Sequence, residues 1–414
     1  MPPVGQSHPS LILGLLVAAQ VLGTSVWFAP QATDDLAELA GSSGKASLIL
    51  ATQAGFVAGT MIFALSGLAD RFAASRVFAL SAAMASASTA ALLLASQPWH
   101  AGCLRFLTGI SLAGVYPLGM KLVVSWFPDK APQALGWLVG ALVLGTASPW
   151  LLRAVTGSGG RAGAIIPWAS TAALLAGLAV LVRGDGPHLK RSAGISWRGL
   201  AGAWASRQYR SALGGYLGHM VELYAFWALV PTLAARAGFS SPWAVFGVVA
   251  MGAAGCVLGG HLARWTSPLA VARFSMACSA ACGLAWPWAS EWPPWPAMAL
   301  LALWGSTVVA DSPQFSALAS AACPRDGVAA ATALMVSLGF AVTIPAIEAM
   351  AALESTRGPW VGWALAAGPI AGLALMGTGA CERGKRPPNA IDNRVFLNSN
   401  NLNSSKASNN QRQL

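Results

Sequence analysis

The chain has 414 residues, of which 55% are hydrophobic and only 9% are Asp, Glu, Lys or Arg. A soluble domain carries roughly 25% charged residues. The deficit excludes a soluble enzyme or binding module, and a mean hydropathy of +0.58 points to a polytopic membrane protein whose lipid-facing surface needs no charge. The formal net charge of +11 does not indicate a nucleic-acid partner, because no basic stripe alternates with polar and aromatic residues.

A spanning helix needs about 20 mostly apolar residues, and the chain offers about twelve such runs. They are predicted at 10–30, 46–69, 74–96, 102–124, 133–154, 163–183, 211–233, 242–263, 269–289, 296–320, 327–350 and 359–380. The first run has no small-residue cleavage site and is interrupted by Gln20 and Thr24, so it reads as a retained span rather than a signal peptide. Gln20, Thr24 and Trp27 stand at i, i+4 and i+7, a polar and aromatic stripe on an oily helix. Such a stripe serves either a cavity or interhelical packing.

Between the second and third runs lies "GLADRFAASR", residues 67–76. Gly67 is expected to let two helices approach closely. Asp70 falls at a helix C-terminus, where the dipole disfavours it, so Arg71 and Arg76 are expected to supply the compensating charge. In the fourth run, "RFLTG" (105–109) sets Arg105 a few residues inside the membrane, shallow enough to snorkel. Further along the same run Tyr116 precedes Pro117, and Lys121 is expected to reach the nearer surface.

The longest polar gap, 184–210, is basic and rich in Gly and Ser. It divides the chain into 1–183 and 211–380, six predicted spans each, followed by a polar Asn- and Ser-rich tail over 381–414 that is expected to be disordered. In the seventh run, "GYLGHMVELYAFW" places His219, Glu222 and Phe226 on one face. Ionisable residues inside a membrane are functional candidates by default. Glu222 is therefore expected to bind solute or carry a proton, with His219 as its partner. In the tenth run, Asp311 and Gln314 flank Pro313, which is expected to disturb the helix and free backbone carbonyls.

Lys and Arg are concentrated on one side of the predicted spans. Arg71, Arg76, Lys121, Lys130, Arg183, Lys190, Arg191, Arg198, Arg207, Arg210, Arg264, Arg273 and Arg325 lie with the central loop and tail. Lys45, Arg105, Arg153, Arg161, Arg236 and Arg357 lie opposite. The asymmetry places both termini in the cytoplasm. It also leaves the sequon Asn403-Ser404-Ser405 on the inside. Trp99, Trp126, Trp292 and Trp295 fall where an interfacial aromatic belt is expected.

"GLADRFAASR" resembles the cytoplasmic loop signature of the major facilitator superfamily, roughly G-x-L-A-D-R-x-G-R-K/R. Gly67, Asp70 and Arg71 match, whereas Ala74 and Ser75 depart from the pattern. "GGHLARWTSPLAVAR" after the eighth run is a weaker echo without the acidic residue, as an internal repeat predicts. "RFLTG" is similar to the R-x-x-x-G that the family carries in its fourth span. The resemblance covers about residues 10–380 and implies an all-α membrane fold, two six-helix bundles with pseudo-two-fold symmetry around a central cavity. It further implies that Gly67, Asp70 and Arg71 gate the inner face and that Arg105 serves proton coupling or anion binding.

These readings together predict a secondary active transporter in the cytoplasmic (inner) membrane. It would move a small polar or anionic organic solute by alternating access, with proton coupling, as a monomer. The coupling candidates are Glu222, His219, Asp311 and Arg105. The cavity candidates are Gln20, Thr24, Trp27, Tyr116, Lys121, Phe226 and Gln314. Alternatives are an exporter of an organic compound or drug, and a non-transporting sensor or assembly factor with the same fold. No ATP-binding loop, HExxH, GxSxG or clustered histidine motif occurs, and Cys103, Cys256, Cys278, Cys282, Cys323 and Cys381 show no metal-site spacing. No cofactor, metal or enzymatic activity is therefore expected.

Overall fold

The structure is a computed structural model that describes residues 9–40, 44–157, 159–189, 197–324 and 327–377, without the side chains of 44–46, 69, 70, 197 and 329. The 184–210 loop is described only in part, and the 381–414 tail lies outside the described residues. The described chain is helical. In chain order the main helices are α1 (Pro9–Thr24), α2 (Gly44–Ser66), α3 (Ala74–Ala90) and α4, in two pieces, Pro98–Leu112 and Tyr116–Trp126. Next come α5 (Ala131–Thr156), α6 (Ala162–Arg183), α7 (Arg207–Arg236), α8 (Pro242–Trp265) and α9 (Pro268–Ala289). The last are α10, again in two pieces, Pro294–Thr307 and Ser312–Ala322, then α11 (Val328–Arg357) and α12 (Val361–Gly377). Nine stretches of the described residues are long and apolar enough to cross a membrane, and one of them, Ala330–Gly377, runs through both α11 and α12.

Local sequence sets the helix starts. Proline opens α4, α8, α9 and α10 in the first turn, where its missing N–H costs no helical bond. Ser206, Ser241 and Ser267 cap α7, α8 and α9 by accepting from the backbone N–H of Tyr209, Trp243 and Ala270. The central loop, expected to be a polar connection, contains a nine-residue helix, Trp197–Ala205. Its small face made it invisible to an apolar count: Gly199 and Gly202 lie against Gly327 and Pro324.

The packing repeats with an offset of six helices. α1 packs on α5 and α6, α2 on α4, and α3 on α6; α7 packs on α11 and α12, α8 on α10, and α9 on α12. Two seams join the halves, α5 with α8 and α2 with α11, and these too exchange under the same offset. Glycine permits several of these approaches. A Cβ at Gly55 would overlap Phe106 O across α2 and α4, and one at Gly255 would overlap Ser306 O at the equivalent contact of α8 and α10. In the α5/α8 seam, Gly136 and Gly140 lie against the backbone of Cys256 and Ala253.

The end of the bundle where α1 begins is called here the near face, and the opposite end the far face. On the far face, Arg153 at the end of α5 donates to both carboxylate oxygens of Asp34, at 3.0 and 2.7 Å. Arg236 at the end of α7 donates to Glu354 of α11, at 2.9 and 2.6 Å. These two clasps occupy equivalent places in the two halves, with the signs of the charges exchanged.

Gly67 does not mediate close helix packing. A Cβ there would meet only Arg71 Nε at 3.8 Å. Its role is conformational, because its φ of +64° lies in the left-handed region and starts the short helix Leu68–Arg71. Arg71 is exposed, and the Asp70 side chain lies outside the described residues.

Candidate functional site

The central polar residues come from helices that break. α4 is interrupted at 113–115 and α10 at 308–311, equivalent positions in the two halves. Proline explains both. Pro117 gives Ala113 O no N–H donor, and Pro313 leaves Val309 O in the same position. Val309 O is instead taken by the Ser312 N–H at 3.1 Å and by the buried Cys256 thiol of α8 at 3.3 Å. Tyr116 opens the second piece of α4, and its hydroxyl faces that of Ser312, which opens the second piece of α10. The two breaks thus meet across the halves.

Asp311 sits in the α10 break and is 2% exposed; its Oδ1 lies 2.8 Å from Nδ1 of His219, which is 1% exposed on α7. The pairing expected between His219 and Glu222 does not form. Three residues of helix rotate the two side chains by roughly 300°, enough to direct them to different neighbours. Glu222 points into the second half, where Ser279 Oγ of α9 lies 2.8 Å from each carboxylate oxygen and Trp304 Nε1 of α10 donates at 2.8 Å. Phe226 follows Glu222, packing on Trp304 with ring centroids 4.8 Å apart. Gln314 is buried one turn beyond Asp311.

In the first half Arg105 is fully buried, which excludes snorkelling. Its Nη1 donates to Val26 O at 3.0 Å and its Nη2 to Trp27 O, so the guanidinium ties down the chain just beyond α1. The stripe on α1 is shorter than the sequence suggests, because the helix ends at Thr24 and Trp27 follows a turn. Thr24 donates to Gln20 O at 2.7 Å and lies against Gly145 of α5. The Gln20 amide rests on Gly119 of α4, and among the described residues neither of its polar atoms has a hydrogen-bond partner. Lys121 is half-buried in the second piece of α4.

Trp27 enters an aromatic cluster that the sequence reading missed as a unit. Its ring lies 5.0 Å from Phe56 of α2, 5.8 Å from Tyr224 of α7 and 5.6 Å from Phe340 of α11. Phe28 and Trp227 extend the cluster. Four elements contribute one or two rings each, so no single stretch of sequence signals it. Trp27 Nε1 reaches Gln53 Oε1 at 3.4 Å, while Gln53 Nε2 and Trp227 Nε1 are buried without a partner among the described residues. Beside the cluster, Thr60 and Ser337 share a 2.9 Å hydrogen bond across the α2/α11 seam.

Residues 11–347 match the sequence profile of the Major Facilitator Superfamily. The chain belongs to this superfamily. Its members are transporters rather than enzymes, and the two broken helices and two seams belong to a multi-pass membrane transporter fold. The crystal structure of the human organic anion transporter MFSD10 (TETRAN) is similar, with a TM-score of 0.69 at 14% identity, over 90% of this chain and 100% of that one. That identity establishes likeness of fold only. Among curated proteins none matches this chain in sequence.

Proposed function

We propose that the protein is a proton-coupled secondary transporter for a small polar or anionic organic solute, working by alternating access between its two halves. The observation that carries the reading is the His219–Asp311 pair. A carboxylate and an imidazole 2.8 Å apart, buried in a membrane span, are costly unless they work, and they share and release a proton as their surroundings change. The pair sits in the α10 break, beside the contact between the two halves, where rearrangement would expose it. Glu222, enclosed by Ser279 and Trp304 within the second half, is assigned a secondary role.

The solute class follows from the donors left unpaired in the aromatic cluster. Gln53 and Trp227 offer N–H groups that no described residue accepts, within the aromatic cluster. Unpaired buried donors suit a solute that brings acceptor oxygens. The organic anion named for the similar human structure agrees with this chemistry. The near face carries Arg71, Arg76, Lys130, Arg207, Arg210 and Arg264, which supports cytoplasmic termini in a cell membrane.

The test is reconstitution in liposomes that contain a pH-sensitive dye, with pooled organic anions, vitamins, amino acids and hydrophobic drugs added outside. Solute-dependent proton movement in wild type that is lost in Asp311→Asn is the expected result. Solute uptake without proton movement, or full movement in Asp311→Asn, would remove the coupling assignment.

A further inference from the structure

The aromatic cluster is divided evenly between the halves. Trp27, Phe28 and Phe56 belong to the first half and Tyr224, Trp227 and Phe340 to the second, and each is at most 3% exposed. Two near-parallel pairs join across the halves. Trp27 lies on Phe340 with centroids 5.6 Å apart and planes 28° from parallel, and Phe28 lies on Tyr224 at 6.3 Å and 26°. Phe56 meets Phe340 across the α2/α11 seam at 4.1 Å. Within the halves, Trp27 backs onto Phe56 at 5.0 Å and Tyr224 onto Trp227 at 5.2 Å. The cluster is therefore two sets of rings pressed together, one set carried by each half.

The inference rests on the alternating-access reading above: when the halves part, these ring faces part. Separating a stacked pair by one ring thickness, about 3.5 Å, lets a planar solute touch both walls. Such a solute restores the ring-on-ring contact that the halves lose, which water does not. A puckered saturated ring is thicker and has no π face to stack. Two donors define the other end of the solute. Gln53 Oε1 accepts from Trp27 Nε1 at 3.4 Å, which leaves Gln53 Nε2 of the first half without an acceptor among the described residues. Trp227 Nε1 of the second half is likewise without one. A buried N–H left bare is costly, and a carboxylate brings two acceptor oxygens. An aliphatic acid would satisfy the donors and leave the ring faces bare, whereas an aryl acid uses both.

We propose that this cluster is a binding site selective for flat aryl carboxylates, with the aromatic ring held between rings of opposite halves and the carboxylate at Gln53 and Trp227. Trp27 and Phe340 select for flatness, and the two N–H groups select for the acid. The solute takes the place of the contact that the halves otherwise make with each other.

The full chain, purified in detergent, is titrated with 2-naphthoate and with decahydro-2-naphthoate, its saturated and puckered counterpart, while its melting temperature is followed. The saturated acid is the more lipophilic, so partitioning into detergent does not mimic a preference for the flat one. 2-Naphthoate is expected to bind about tenfold more tightly, the scale of stacking on two walls. Phe340→Leu, which removes one wall, is expected to abolish most of that preference. Trp227→Phe keeps the ring and removes the N–H, and is expected to weaken both acids about tenfold while leaving their ratio unchanged. Trp265→Phe, at an exposed ring on α8, is expected to respond as wild type. If Phe340→Leu does not fold, the wild-type comparison and Trp227→Phe decide. Equal binding of the two acids, binding of neither, or unchanged affinity in Trp227→Phe would each overturn the proposal. Selective binding of 2-naphthoate without solute-driven proton movement in liposomes would keep this site and remove the proton-coupled reading. Proton movement driven by aliphatic acids alone would do the reverse.

Discussion

The two halves share one packing plan but handle buried charge in opposite ways. In the first half, the fully buried Arg105 is bound to the carbonyls of Val26 and Trp27. Backbone carbonyls do not titrate, so this cation has a fixed partner and acts as a clamp. In the second half, Asp311 lies beside His219, and Glu222 is held by Ser279 and Trp304. Those partners are side chains, which can turn away as their neighbours move, unlike the backbone. One repeat thus ties its buried charge to the backbone, while the other pairs its buried charges with side chains.

The sharpest way to break this comparison is to neutralise each side. Asp311→Asn is expected to lower proton-coupled flux by about 100-fold, equivalent to about 2.7 kcal/mol, with little loss of thermal stability. Arg105→Met is expected to do the reverse in kind. It leaves two buried carbonyls unpaired at about 1–3 kcal/mol each, and a melting curve in detergent should show a large fall. If Arg105→Met melts as wild type and loses only flux, the clamp reading fails.

A third variant tests the seam that both halves share. A Cβ at Gly140 would lie 3.1 Å from Ala253 O and 3.5 Å from Val257 Cγ2. Gly140→Ala should be nearly tolerated, whereas Gly140→Leu should wedge α5 from α8 and cut flux about tenfold or more, a strain of about 1–3 kcal/mol. The smallest effect is expected at the far-face clasps. Asp34→Ala and Glu354→Ala should each cost about 0.5–1 kcal/mol, because partly exposed ion pairs are screened. A double-mutant cycle with Arg153→Ala or Arg236→Ala would measure each pair, and unequal couplings would show that the charge exchange between the halves matters.

The helices were legible in the sequence because lipid imposes a simple rule on them. The α10 break was legible because Pro313 removes a specific donor. Other features were not. The stop of α1 at Thr24 was not legible, because the chain just beyond it is held by Arg105, which is distant in sequence. His219 and Glu222 share a sequence face only to the resolution of one helical turn, and tertiary neighbours divide them between Asp311 and the Ser279–Trp304 pair. The aromatic cluster needed α2, α7 and α11 to meet, which no local pattern encodes. Gly67 was recognised as necessary but for the wrong reason, since glycine serves both close packing and positive φ and the letter alone does not distinguish them.

The thiol of Cys256 bears on how firmly the α10 break is held. Where proline removes an amide donor, a serine or threonine hydroxyl would replace it with a strong bond and stiffen the joint. Sulfur is a weak donor, and its contact with Val309 O at 3.3 Å is easily surrendered. Together with the Ser312 N–H it leaves this carbonyl lightly held, and Cys256→Ser is expected to tighten the break like a screw.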